Sequence, residues 1–190
     1  MDRLKLFFLN FFACFLIPAY TLLFAGSVQW FGTNFSVIAV TGPDHYRGFI
    51  YWGILAGGYF FVMLNSLSFA LPTRWPRICV RLLTVCAVLS LAYALAIPYL
   101  PAYFPRYAAL HVALAAGACV LLMLALLLII LSLRRSDPAR YTRPLLVWGL
   151  IAAGCAVLFL IPQMVSTALE VFFTISTSLL TRKLFLLTKF

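Results

Sequence analysis

Long apolar stretches, broken only by short polar or proline-containing segments, constrain this chain more than any other feature. A helix needs about 20 mainly apolar residues to cross roughly 30 Å of hydrocarbon. Stretches of that length cover residues 6–25, 49–71, 82–100 and 107–133. The last apolar region, residues 145–180, exceeds one span, and Pro162, Gln163 and Ser166 supply a turn within it. The expected spans there are 145–163 and 167–187. The fold class is therefore all-α: one domain over residues 1–190, forming a polytopic integral membrane bundle of six transmembrane helices. Composition agrees, since 65% of the 190 residues are hydrophobic and only 9% are charged. A soluble domain carries far more charge on its surface. Disorder, a collagen-like structure and a disulfide scaffold are excluded by the same figures.

The basic residues orient the bundle. Arg3 and Lys5 precede the first span, and Arg74, Arg77 and Arg81 follow the second. Arg134, Arg135, Arg140 and Arg143 follow the fourth, and Arg182, Lys183 and Lys189 close the chain. With six spans these twelve of the fourteen Lys and Arg share one side, leaving Arg47 and Arg106 opposite. The positive-inside rule then places both termini in the cytoplasm, with the plasma membrane as the expected location. A five-span alternative puts the basic C-terminus outside and is rejected. The net charge of +10 reads as orientation and attraction to anionic lipid, at about 1 kcal/mol per residue near the surface. Nucleic acid is not an expected partner. The N-terminus has the outline of a cleavable signal, with Ala25, Gly26 and Ser27 after the apolar run. That run is longer than a usual signal h-region, which favours a retained helix.

On the expected outer side, residues 26–48 form the longest connection, N-in and C-in topology making it the first outer loop. Residues 35–40 are β-prone and predict a short strand or hairpin lying on the membrane. Trp30, Tyr46, Tyr51, Trp52, Tyr99, Tyr103 and Tyr107 fit an interfacial aromatic belt. Polar side chains are costly in lipid and tend to mark sites. His111 falls one turn into span four, after Arg106, and Glu170 near the start of span six. Asp44, His45 and Arg47 immediately precede span two. Both histidines and both acids are thus expected at one depth. With Arg106, Ser36 and Asn34 they form the candidate ligand-binding set. The plainer alternative pairs Asp44 with Arg47 or Arg106 and leaves His111 as an interhelical hydrogen-bonder.

Reaction chemistry finds little support. A catalytic zinc wants three protein ligands and an open position. His45, His111, Asp44 and Glu170 have the right donor types, but no HxxxH or HExxH spacing is present and Arg47 opposes a metal unless paired. No CxxCH motif supports haem. Ser36 and His111 can meet in space, yet no GxSxG elbow frames a nucleophile. Cys14, Cys119 and Cys155 fall inside spans, where cysteine is a small packing residue. No catalytic residue, metal or cofactor is assigned. Gly57, Gly58, Pro98 and Pro162 offer the helix breaks of a transporter, but no acidic relay or internal repeat accompanies them. Gly53 and Gly57 form GxxxG, while Ala109, Ala113 and Gly117 repeat at fours. Such faces pack a bundle, a homodimer or a membrane-protein partner.

Three patches carry a family resemblance. TNFSVIAVTGPDHYRGFIYWGILAGG at 33–58 resembles the Asn-x-Ser loop, proline and Gly-containing second helix of the Frag/DRAM/Sfk group and its prokaryotic relatives. PRYAALHVALAAGA at 105–118 is similar to the Pro then His-x-x-x-Ala helix start of those relatives. ALEVFFTISTSLL at 168–180 looks like their last helix, opening with an acid, although Val171 stands where a basic neighbour is usual. The resemblance singles out Asn34, Ser36, His111 and Glu170. It implies membrane association, with lipid-related roles in some members, and no defined reaction. The expected function is an accessory or lipid-binding membrane protein whose outward polar pocket engages a lipid head group or a membrane partner. A small transporter or lipid flippase is the first alternative, and an intramembrane metal-dependent hydrolase using His45 and His111 the second.

Overall fold

Prolines, glycines and polar caps divide the chain into helices at the points where backbone donors or acceptors run out. The computed structural model describes residues 3–26 and 28–189, without the side chains of residues 3–5. The side chains of Arg3 and Lys5, read as anchors, and the signal-like Ser27 lie outside the described residues. The elements are α1 (Arg3–Phe11), a π-helical turn (Phe12–Leu16), α2 (Ile17–Ala25), α3 (Phe35–Ala39), α4 (Pro43–Ser68), α5 (Arg74–Ala96), α6 (Pro105–Ser136), α7 (Pro138–Leu160) and α8 (Thr167–Lys189). Six continuous helical stretches are long and apolar enough to cross a membrane, the first running from Leu6 to Ala25 through the π-turn. No strand occurs among the described residues.

The helices start earlier than hydropathy alone suggests. Pro43 opens α4 and Pro138 opens α7, because the first turn of a helix needs no N–H from proline. Between the fourth and fifth spans the chain turns in a tight corner at Asp137. Its carboxylate accepts from the Arg140 N–H at 3.1 Å and caps α7. α6 is 32 residues long, about 48 Å by helical rise, so it exceeds the hydrocarbon layer. Pro18 explains the π-turn. It cannot donate an N–H, and the Ile17 N–H reaches back five residues to the Phe12 carbonyl. At this break Ser178 of α8 lies 3.4 Å from the Ala13 carbonyl.

Side-chain bonds identify the two ends of the bundle. At one end Arg81 bonds Ser68, Arg134 bonds Thr142, and Tyr141 bonds the Leu187 carbonyl. Arg182 turns inward and donates to Asn10 at 2.7 Å, whereas Lys183, one residue round the helix, is exposed. This is the arginine end. The main core fills the bundle from there with Leu64, Leu67, Leu126, Ile129, Ile130 and Leu184, all essentially buried. A smaller core closes the other end. Phe35 sits at its centre, edge-on to Phe24 and Trp52 at 5.1 and 5.0 Å between ring centroids.

The small-residue faces divide in role. Gly53 and Gly57 of the GxxxG motif meet Leu95 and Leu91 of α5, so this face packs the bundle itself. Ala109 and Ala113 are exposed on α6, and a Cβ at Gly117 would meet nothing within 4 Å. Cys14 and Cys119, expected as packing residues, are exposed and Cys155 is half-buried; Cys79 and Cys86 are exposed as well. Gly53→Val should therefore destabilise the protein by about 1–3 kcal/mol through overpacking against Leu95. Gly117→Ala should stay within about 0.5 kcal/mol. Thermal unfolding in a mild detergent checks both.

Candidate functional site

Two prolines create the need that His111 meets. In a continuing helix the Ala94 carbonyl would accept from residue 98 and the Ile97 carbonyl from residue 101. Both positions are proline, with no N–H to give. Ile97 accordingly adopts the extended conformation that precedes proline, and α5 stops at Ala96. His111, one turn into α6, fills the gap: its Nδ1 lies 2.8 Å from both the Ala94 and Ile97 carbonyls. Carbonyls only accept, so Nδ1 carries the proton. In the neutral ring Nε2 is then an acceptor, and the Ser36 hydroxyl, 2.6 Å away, donates to it. Tyr99 packs against the imidazole at 5.7 Å between centroids. His111 is 2% and Ser36 9% exposed.

Ser36 belongs to α3, the element that replaces the expected β segment. Asn34 precedes it in extended geometry, and its Oδ1 accepts from the Val37 N–H at 2.9 Å, an N-cap that selects helix over strand. Burial of Phe35, Ile38 and Ala39 then fixes one face. A five-residue helix has little stability of its own, and its docking supplies the rest.

That docking is reciprocal with the start of α8. The first N–H groups of any helix lack intrahelical partners. The Thr167 N–H donates to the Thr33 carbonyl at 2.7 Å and the Ala168 N–H to the Trp30 carbonyl at 3.0 Å. The Leu169 N–H reaches the Ser166 hydroxyl at 3.4 Å. In return Glu170 accepts from the Phe35 N–H at 2.6 Å, and Asn34 donates its amide to the Val165 carbonyl at 3.3 Å. The Glu170 carboxyl group thus lies in the first turn of α8 and at the start of α3. Two helix N-termini distant in sequence cap each other.

Asn34, Ser36, His111 and Glu170 therefore gather around α3. The remaining candidates do not join them. Asp44 and Arg47 form an exposed pair at 3.5 Å, with side chains 91% and 72% accessible. His45 is exposed and shares a 2.6 Å contact with Thr41, and Arg106 is exposed at the start of α6. Tyr46 and Trp52, expected in the belt, turn inward to the Leu95 carbonyl and the Thr21 hydroxyl, while Trp30, Tyr51, Tyr103 and Tyr107 are exposed. Among the described residues no three of His, Cys, Asp and Glu come together as a metal site. Sequence reasoning missed Phe35, Thr33 and Trp30, whose backbone or packing roles leave no motif. The Pro98–Pro101 spacing before His111 was the one readable sign.

Ser36 and His111 have the polarity of a nucleophile and its base: hydroxyl to Nε2, with Nδ1–H anchored. Both are enclosed, and Ser36 does not line the nearby recess formed by Ala96, Ile97, Pro98, Phe104 and Tyr107. In this geometry the pair fastens α3 to α5 and α6. Comparison with known proteins gives no matching family model, curated protein or solved structure, so it lends the Frag/DRAM/Sfk resemblance no support.

His111→Ala should cost about 3 kcal/mol, since it leaves a cavity and leaves the Ser36 hydroxyl and the Ile97 carbonyl without their partner. It should also expose residues 28–41 to proteases. Glu170→Gln keeps an acceptor for Phe35 and should cost about 1 kcal/mol, less than Glu170→Ala. Unfolding curves with limited proteolysis read these effects.

Proposed function

We propose that this chain is a lipid-binding accessory protein of the membrane, with its lipid site at the capped end. The observation that carries this reading is an apolar recess of about 320 Å³ lined by Ala96, Ile97, Pro98, Phe104 and Tyr107. Arg106 lies beside Phe104 and Tyr107 in sequence and is exposed, so a phosphate has a cation near an opening that suits an apolar group. His111 holds one wall of the recess through the Ile97 carbonyl. The exposed Asp44, His45 and Arg47 give the same end a zwitterionic rim. In this reading the four buried polar residues position the rim and the recess, and the lipid touches neither Ser36 nor Glu170.

The capped end faces outward and both termini are cytoplasmic in this proposal, which the positive-inside rule supports. Kinship with the Frag/DRAM/Sfk group is part of the same proposal. It rests on the sequence likeness of the patches at 33–58, 105–118 and 168–180.

Native mass spectrometry of protein released from its own membrane tests the lipid reading. Wild-type protein should retain a lipid, and a Tyr107→Ala, Arg106→Gln variant should lose about ten-fold in occupancy of that lipid. Equal retention by the variant would contradict the site. The Ser36–His111 geometry gives a hydrolase reading its one specific support. A fluorophosphonate probe should leave Ser36 unlabelled, and stoichiometric labelling would favour that reading instead.

A further inference from the structure

The opposite end carries a second feature that the capped end does not explain. α7 and α8 approach closely at Gly154, where a Cβ would come within 2.8 Å of the Phe172 ring. They are tied again by the Tyr141 hydroxyl and the Leu187 carbonyl at 3.4 Å. Between these contacts the helices leave a groove of about 420 Å³, walled by Val147, Leu150, Phe172 and Leu179 and ending at Arg143 and Lys183. From Arg143 to Ile151 the groove runs about 12 Å by helical rise. Ser176 also lines it, but its hydroxyl is turned to the Phe172 carbonyl at 2.5 Å, which leaves the wall apolar.

Among the described residues the charges at its mouth have no counter-ion. Arg143 and Lys183 are exposed, and among the described residues neither makes a salt bridge. Asp137, the acid near the start of α7, already caps that helix through Arg140. Two cations on adjacent helices over an apolar slot match one kind of molecule in a bilayer. An acyl chain fills the slot and a phosphate meets the cations at the water boundary.

We propose that the α7–α8 groove binds one anionic phospholipid, with its phosphate between Arg143 and Lys183 and one acyl chain along Val147, Leu150 and Phe172. This site is separate from the recess at the capped end and stands whether or not that recess binds lipid.

The full chain in detergent is mixed with phosphatidylglycerol or phosphatidylcholine of identical acyl chains and read by native mass spectrometry. Wild-type protein should retain phosphatidylglycerol about ten-fold more than phosphatidylcholine, from two cations near the surface. Arg143→Gln, Lys183→Gln should abolish that preference; both side chains are exposed, so the fold is kept. Leu150→Trp, which fills the groove, should reduce retention with both cations intact. In a Tyr107→Ala, Arg106→Gln background, adding Arg143→Gln and Lys183→Gln should still remove one phosphatidylglycerol per chain, which separates this site from the capped-end recess. Equal retention of the two lipids by wild-type protein, or an undiminished preference in the double glutamine variant, would overturn the proposal.

Discussion

Backbone groups that a helix cannot satisfy are the constraint on which this structure rests. In hydrocarbon an unpaired carbonyl or N–H has no water to turn to, so every interruption of a helix needs a partner from elsewhere in the chain. Pro98 and Pro101 remove the helical donors of two carbonyls at the end of α5; Ala94 keeps a shared bond from the Ile97 N–H, and His111 donates to both. α8 begins without N–H acceptors, and Trp30 and Thr33 provide two. α3 begins in the same condition, and Glu170 and Asn34 supply its acceptors. Apart from Asn34, which caps its own helix, each partner lies well away in sequence, so the first long connection is drawn onto three helices at once.

This requirement gives the polar residues of the capped end their arrangement. His111 is anchored at Nδ1 and accepts from Ser36 at Nε2, which fixes the ring and the turn of α3 together. Phe35 then fills the space under α3, stacking edge-on against Phe24 and Trp52. The polar latch and the aromatic plug act on adjacent residues of one short helix. What stays exposed around it is an apolar recess, Arg106 and the Asp44–Arg47 pair. At the arginine end the same bundle presents exposed cations beside an apolar groove. The two ends thus present different chemistry.

The spans were legible because hydropathy and proline placement act along the chain. All six spanning helices match the apolar stretches, with ends moved by Pro43, Pro138 and the pre-proline bend at Ile97. Asn34, Ser36, His111 and Glu170 also stood out, since polar residues in apolar runs are conspicuous. Their mutual arrangement was not legible. The residues around Phe35 favour strand by intrinsic preference, and the Asn34 cap with tertiary burial overrides it. Asp44 and His45 looked equivalent to Glu170 in depth, but they lie on the exposed face of the first turn of α4. Arg182 and Lys183 look alike in sequence, and only the facing Asn10 decides which one turns inward.

Amide hydrogen exchange on the native chain in bicelles tests the central claim directly, because it reads the interlocked N–H groups one by one. The account predicts that Phe35, Val37, Thr167 and Ala168 exchange as slowly as amides in the middle of α4, each being bonded across or within the cap. Exchange at the rate of an open surface loop at Phe35 and Thr167 would contradict it, for α3 and α8 would not then be capping each other.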